Sequence, residues 1–217
     1  MSDATLDIRQ RKLATLLGAR VVPVLRYGDA ATAAYAAEVA IAAGCTTLEL
    51  TWTIPDVIDL VRALRDKHGA TLLLGLGTVL EEDQARDALV AGVDFLVSPA
   101  VLPELVPLAH AADALCLAGA FTPTEVVQAR RAGADVVKVF PAETGGPGHL
   151  AALKSVFPDS VFCPTGGVTA QNMGAYFKAG ASLVGIGSNL YDKAAFEARD
   201  TAALVAQIQR TREAAHG

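Results

Sequence analysis

One pattern recurs from end to end of this chain: a short run rich in β-formers, then a longer Ala- and Leu-rich stretch of helical period. Such a rhythm predicts a parallel sheet, because consecutive parallel strands need a crossover and a helix is the usual one. Strands are expected at 21–26 (VVPVLR), 46–52 (TTLELTW), 71–76 (TLLLGL), 94–98 (DFLVS), 114–118 (ALCLA), 135–140 (DVVKVF), 160–163 (SVFC) and 182–186 (SLVGI). Helices are expected at 30–43, 55–67, 81–91, 102–111, 123–132, 148–156, 170–179 and 192–213. Eight of each close into an α/β fold of the (β/α)8 TIM-barrel type, which 217 residues suffice to build. Gly44, Gly92, Gly133 and Gly180 each end a helical run just before a strand, where a helix C-cap favours left-handed backbone. Residues 4–17 read as an additional amphipathic helix. The expectation is one barrel domain over 1–217, with residues 1–19 packed on the barrel.

Composition narrows the functional classes. Hydrophobic residues are 52% and charged residues 19% of the chain, a bias that strands buried on both faces would produce. No apolar run reaches the roughly 18 residues that span a bilayer, and MSDATLDIRQRK has no apolar segment behind its charges, so a cytoplasmic protein without membrane contact is expected. A net charge of −5 removes any general attraction to nucleic acid, so an anionic ligand needs a local site. Cys45, Cys116 and Cys163 show no CxxC spacing and lie in or beside apolar runs, as reduced, buried thiols do. His68, His110, His149 and His216 lack metal-ligand spacing, so neither a metal nor another cofactor is expected.

Barrel chemistry sits at the C-terminal ends of the strands. Lys138 lies inside VVKVF between two valines; burial would disfavour its ammonium form, as a Schiff-base lysine requires. The alternatives are a lysine snorkelling outward between helices, or a structural ion pair. Glu49, alone between leucines in LELTW, is a candidate proton shuttle or simply the partner of Lys138 or Arg26. Arg26 ends the first strand and offers a bidentate fork to a carboxylate, unless it is only a solvated strand-end arginine. Thr165-Gly166-Gly167 after the seventh strand and Gly187-Ser188 after the eighth stand where barrels often bind phosphate, although ordinary βα turns also look like this. Thr78 and Pro99 either line the mouth or are simple turn residues, Phe140 and Pro141 would make an apolar wall beside Lys138, and Trp52 is either a further wall or a packing residue.

In order and spacing, LELTWT, GLGT, VSPA, KVFPAE, CPTGG and IGS resemble the 2-keto-3-deoxy-6-phosphogluconate (KDPG) and 4-hydroxy-2-oxoglutarate aldolase family, over roughly residues 20 to 200. The resemblance implies a metal-free class I aldolase acting as a homotrimer. In it Lys138 forms an imine with the keto acid and Glu49 moves protons. Thr78, Pro99 and Phe140 would line the pyruvate pocket, Thr165 would contact the keto acid, and Gly166, Gly167, Gly187 and Ser188 would hold phosphate. Two positions depart from the pattern. Thr53 replaces an arginine that the family usually carries near the second strand, and Ala118 replaces a proline. Arg26 is the candidate substitute cation, as in relatives acting on the galactonate epimer. The implied reaction is cleavage of KDPG to pyruvate and glyceraldehyde 3-phosphate, or of 4-hydroxy-2-oxoglutarate to pyruvate and glyoxylate. The alternatives are a galactonate-epimer aldolase, a phosphate-binding barrel isomerase or epimerase, and a non-catalytic phosphosugar-binding barrel.

Overall fold

A computed structural model describes residues 7–216. Its elements alternate strictly through the barrel: α1 (Ile8–Ala19), β1 (Val21–Leu25), α2 (Ala30–Ala42), β2 (Thr47–Thr51), α3 (Val57–His68), β3 (Leu73–Gly77), α4 (Glu82–Val90), β4 (Phe95–Val97), α5 (Leu105–Ala111), β5 (Leu115–Ala120), α6 (Pro123–Ala132), β6 (Val136–Val139), α7 (Ala142–Val156), β7 (Phe162–Pro164), α8 (Met173–Lys178), β8 (Val184–Ile186), α9 (Lys193–Glu197) and α10 (Thr201–His216). Eight parallel strands pair in the order β7-β6-β5-β4-β3-β2-β1-β8. A bridge between Thr165 and Gly185 joins the two ends of that order, so the sheet is the expected (β/α)8 barrel.

Local chemistry sets the helix ends. The α6 helix has Thr122 as N-cap with Glu125 reciprocating, Pro123 at its first turn, and Gly133 at φ 89° as its stop. Four expected helices differ in extent, the one expected at 102–111 beginning only at Leu105. The segment Ala142–Val156 is two helical pieces meeting at a kink: Gly146 at φ 65° ends a first piece begun at Ala142, which the ETGGPG stretch hides from a propensity reading, and Pro147 starts the second, the helix expected at 148–156. The helix expected at 170–179 shrinks to α8, since Asn172 and Thr169 bond each other's backbone in a turn ahead of it. The run at 192–213 is two helices. Asp192 caps the first, Arg199 turns the chain at φ 52°, and Asp200 accepts from Ala203 N–H to start the second. Within the expected 4–17 helix, Asp7 and Gln10 form a capping box that starts α1 at Ile8; residues 4–6 lie outside the described residues.

Strand alternation sorts the side chains into two cores. Leu48, Leu50, Val137 and Val139 point outward into a large layer shared with the helices. Val22, Leu73, Phe95, Leu117, Val136 and Cys163 point inward and fill the barrel with Leu16 of α1. Leu13, Leu16 and Leu17 make α1 the plug of the barrel's lower end. The plug is fastened at its rim, where Lys12 pairs with Asp94 at 3.1 Å and Arg9 with Asp135 at 3.5 Å. Phe95 fills the lumen only because β3 offers Gly75 beside it: a Cβ there would lie 2.0 Å from the phenyl ring.

Cys45, Cys116 and Cys163 are all buried and unbridged. Burial pushes the thiol of Cys45 up to about 11 and those of Cys116 and Cys163 up to about 12. Two outcomes follow. In the native protein none of the three thiols reacts promptly with Ellman's reagent at mildly alkaline pH, and all react once guanidinium unfolds the chain; fast labelling before unfolding would contradict this burial. Leu16→Ala lowers the unfolding free energy by about 2–5 kcal/mol in urea titration, whereas Ile8→Ala on the exposed side of α1 stays within about 0.5 kcal/mol.

Candidate active site

Lys138 shares its strand face with Val136, and Glu49 shares its face with Thr47, so both project into the lumen above the inner core. β6 and β2 stand on opposite sides of the eight-stranded ring, and the two side chains meet across it. Lys138 Nζ lies 3.6 Å from Glu49 Oε1, with side-chain exposures of only 6% and 4%. That oxygen has no hydrogen-bond partner among the described residues, so the contact is an ion pair longer than a hydrogen bond. Space for it comes from glycine. A Cβ at Gly77 of β3 would lie 2.0 Å from Glu49 Oε1. The ring of Phe140 flanks the amine, its centroid 5.3 Å from Nζ.

Above this pair opens a cavity of about 250 Å³ lined by Val24, Arg26, Lys138, Phe140, Thr165, Gly166, Gly167, Gly187, Ser188 and Asn189. Arg26 reaches over its edge, donating from Nη1 to Thr53 Oγ1 at 3.1 Å and from Nη2 to Thr78 Oγ1 at 2.8 Å. Thr78 itself holds φ 60°, a conformation a β-branched residue rarely adopts. On the far side, Gly166 (φ 92°) and Gly167 (φ 73°) turn the chain back under Phe140 and Glu143, and Asn172 Nδ2 pins the loop through the Gly167 carbonyl at 2.9 Å. Gly185 admits the Thr165 hydroxyl where β7 meets β8, since a Cβ would sit 2.4 Å from Thr165 Oγ1. The result is an amine and a carboxylate at the floor, a guanidinium at one wall, and two backbone loops at another.

Of the residues expected from sequence, Arg26, Lys138, Phe140, Thr165, Gly166, Gly167, Gly187 and Ser188 line this one cavity. Glu49 lies beneath it against Lys138, and Thr78 is tied to it through Arg26. Pro99 stands to the side, its backbone folded over Gly119, where a Cβ would lie 2.2 Å from the Pro99 carbonyl carbon. Trp52 packs against the outer core by a separate cleft along Ile54–Asp59, so of its two readings packing prevails. Ala118 also faces the helix layer, away from the cavity. The histidines are engaged elsewhere: His68 with Glu38, His110 with Asp135, His149 with the Phe121 carbonyl, His216 with the Gly18 carbonyl. Among the described residues no cluster of three or more His, Cys, Asp or Glu is arranged to hold a metal ion, and no helix is long and apolar enough to cross a membrane.

Sequence reading missed Val24 and Asn189 as lining residues, Gly77 and Gly185 as space-makers, and Thr53 as the partner of Arg26. For Gly77 a signal existed: in GLGT both glycines fall on one strand parity, the one that faces the lumen. For Asn189 there was only its place next to Gly187-Ser188.

Relatives of known kind share this architecture. The chain is 34% identical over 198 residues to 2-dehydro-3-deoxy-phosphogluconate aldolase of Pseudomonas aeruginosa, covering 90% of this chain and 88% of that one. It is 32% identical over 173 residues to 2-dehydro-3-deoxy-6-phosphogalactonate aldolase of Escherichia coli, covering 79% and 84%. Its fold superposes on the crystal structure of KDPG aldolase from Legionella pneumophila, in which pyruvate was captured as a covalent carbinolamine, with a TM-score of 0.83, 28% identity and coverage of 92% and 97%. A family model for KDPG and KHG aldolases matches residues 13–207, nearly the whole barrel, and the chain therefore belongs to the KDPG and KHG aldolase family.

Proposed function

We propose that this protein is a class I aldolase that cleaves KDPG to pyruvate and glyceraldehyde 3-phosphate through a Schiff base on Lys138. The observation that carries the reading is the buried Lys138–Glu49 pair, 3.6 Å apart beneath a cavity walled by a guanidinium and two glycine loops. The amine of Lys138 attacks the C2 carbonyl of the keto acid, and the carbinolamine loses water to give the iminium. Removal of the C4 hydroxyl proton breaks C3–C4. The bonding pair moves into the iminium to form an enamine, and the aldehyde departs. Protonation of the enamine carbon and hydrolysis of the imine then release pyruvate and the free amine. Glu49, at ion-pair distance from the amine, takes and returns these protons in this reading.

Arg26 supplies the fixed positive charge for a substrate anion, and the loops of Thr165–Gly167 and Gly187–Ser188 supply backbone for the phosphate. Phe140 bounds the pyruvate end beside the amine, Thr78 serves it through its bond to Arg26, and Pro99 only covers Gly119 on the neighbouring strand. The reading includes a metal-free reaction without cofactor in a cytoplasmic homotrimer. It also includes slower cleavage of 4-hydroxy-2-oxoglutarate, which has no phosphate for the loops. The Arg26–Thr53 contact favours one second reading, the galactonate epimer as preferred substrate, because here the cation comes from the β1 side of the cavity.

Pyruvate release coupled to lactate dehydrogenase tests this. KDPG is cleaved with a kcat/KM at least as high as that for the galactonate epimer and well above that for 4-hydroxy-2-oxoglutarate, with EDTA changing nothing; no release from any of the three would overturn the assignment. Glu49→Gln lowers kcat by about 10²–10⁴-fold, the usual size of general acid–base assistance. Gly77→Ala also lowers kcat, since its methyl takes the space of Glu49 Oε1; an unchanged rate in either variant contradicts the proton-shuttle role.

A further inference from the structure

We propose that Thr53 is the positioning residue that aims Arg26 at the substrate, through a chain of hydroxyl hydrogen bonds with one possible direction. The direction follows from counting donors. The Leu25 carbonyl only accepts, so the Thr51 hydroxyl spends its hydrogen there, at 3.1 Å. In its 2.9 Å contact with Thr53, Thr51 Oγ1 is therefore the acceptor, and Thr53 spends its own hydrogen on it. Thr53 Oγ1 then has only lone pairs left, and Arg26 Nη1 donates to them at 3.1 Å. Each bond polarises the next, and the guanidinium charge sits at the donor end, where such a chain is strongest.

A second tether holds the other nitrogen: Nη2 donates to Thr78 Oγ1 at 2.8 Å, from a residue kept at φ 60°. Arg26 is exposed, and an exposed arginine ordinarily loses rotamer freedom when it grips a ligand. Tethered at both terminal nitrogens, it has lost that freedom in advance, and with two of its five N–H donors spent three remain for an anion. Thr51 is buried and would keep its bond to Leu25 without Thr53, so the link to the guanidinium is the part that depends on residue 53.

This inference rests on the proposed aldolase reading, in which Arg26 meets an anionic group of the keto acid. The test is steady-state cleavage of KDPG by wild type, Thr53→Val, Thr53→Ser, Arg26→Ala and the Arg26→Ala/Thr53→Val double variant, with thermal melting to confirm folding. Thr53→Val raises KM about tenfold with kcat within about twofold, the scale of one lost hydrogen bond to a charged group. Thr53→Ser keeps the wild-type KM, and Thr53→Val adds nothing once Arg26 is alanine. If Arg26→Ala raises KM but Thr53→Val does not, or if the valine effect persists undiminished without Arg26, the positioning role is wrong. If Arg26→Ala leaves KM unchanged, Arg26 does not grip the substrate and the inference falls with that role. Absence of cleavage by wild type would sink the aldolase reading itself.

Discussion

A cation and a carboxylate held across the lumen of a closed barrel constrain everything around them. Removing two such charges from water costs several kcal/mol per ion, and truncating one partner leaves the other uncompensated. Lys138 and Glu49 offset each other only if both side chains reach the centre, which requires facing strands of correct parity and an empty layer between them. Gly77 provides that emptiness beside Glu49, while Phe95 and Leu16 below close the lumen so that the pair stands on a dry floor. The cavity above the pair gives a ligand a way to it. A lysine in this setting has two uses, a structural ion pair or a nucleophile; the cavity directly above it gives the second use a substrate-sized space.

How far the sequence disclosed this depends on which physical signal each feature left. Strand and helix order was legible because alternation between short β-rich runs and helical runs is a chain-long regularity, and the four helix-ending glycines do adopt φ between 83° and 102°. Lys138 and Glu49 stood out because a lone charge within an apolar strand is costly unless it is used. Helix extents were less legible. The first turn of α7 runs from Ala142 into ETGGPG, where bonding of the Ala142 and Glu143 N–H groups to the Thr165 and Gly166 carbonyls overrides local propensity. The break between α9 and α10 rests on the left-handed Arg199, a residue type that carries no such signal. The Arg26–Thr53 contact joins residues 27 apart in the chain, and Asn189 enters the cavity only through barrel closure, so neither had a local signature.

The departures from the family's usual residues take on physical meaning in this setting. Thr53 stands where a strand-2 arginine is customary, yet the cavity is not short of a cation at that wall, because the Arg26 guanidinium rests on Thr53 itself. The charge arrives from β1 rather than β2. The Thr165-Gly166-Gly167 loop is retained opposite it. The cavity therefore carries a guanidinium and the Thr165-Gly166-Gly167 loop above the Lys138–Glu49 pair. Ala118, the other departure, faces the helices and leaves the cavity unaltered.

In the proposed reaction Lys138 is the covalent nucleophile rather than half of a structural ion pair. The most direct test of that role is borohydride reduction in the presence of pyruvate, read by intact mass and peptide mapping for the wild type and for Lys138→Arg, whose cation keeps Glu49 paired. Wild type gains one pyruvyl unit per chain, located on Lys138, and the variant gains none. A folded wild-type protein that gains no adduct, or an adduct mapped to any other lysine, would contradict that role.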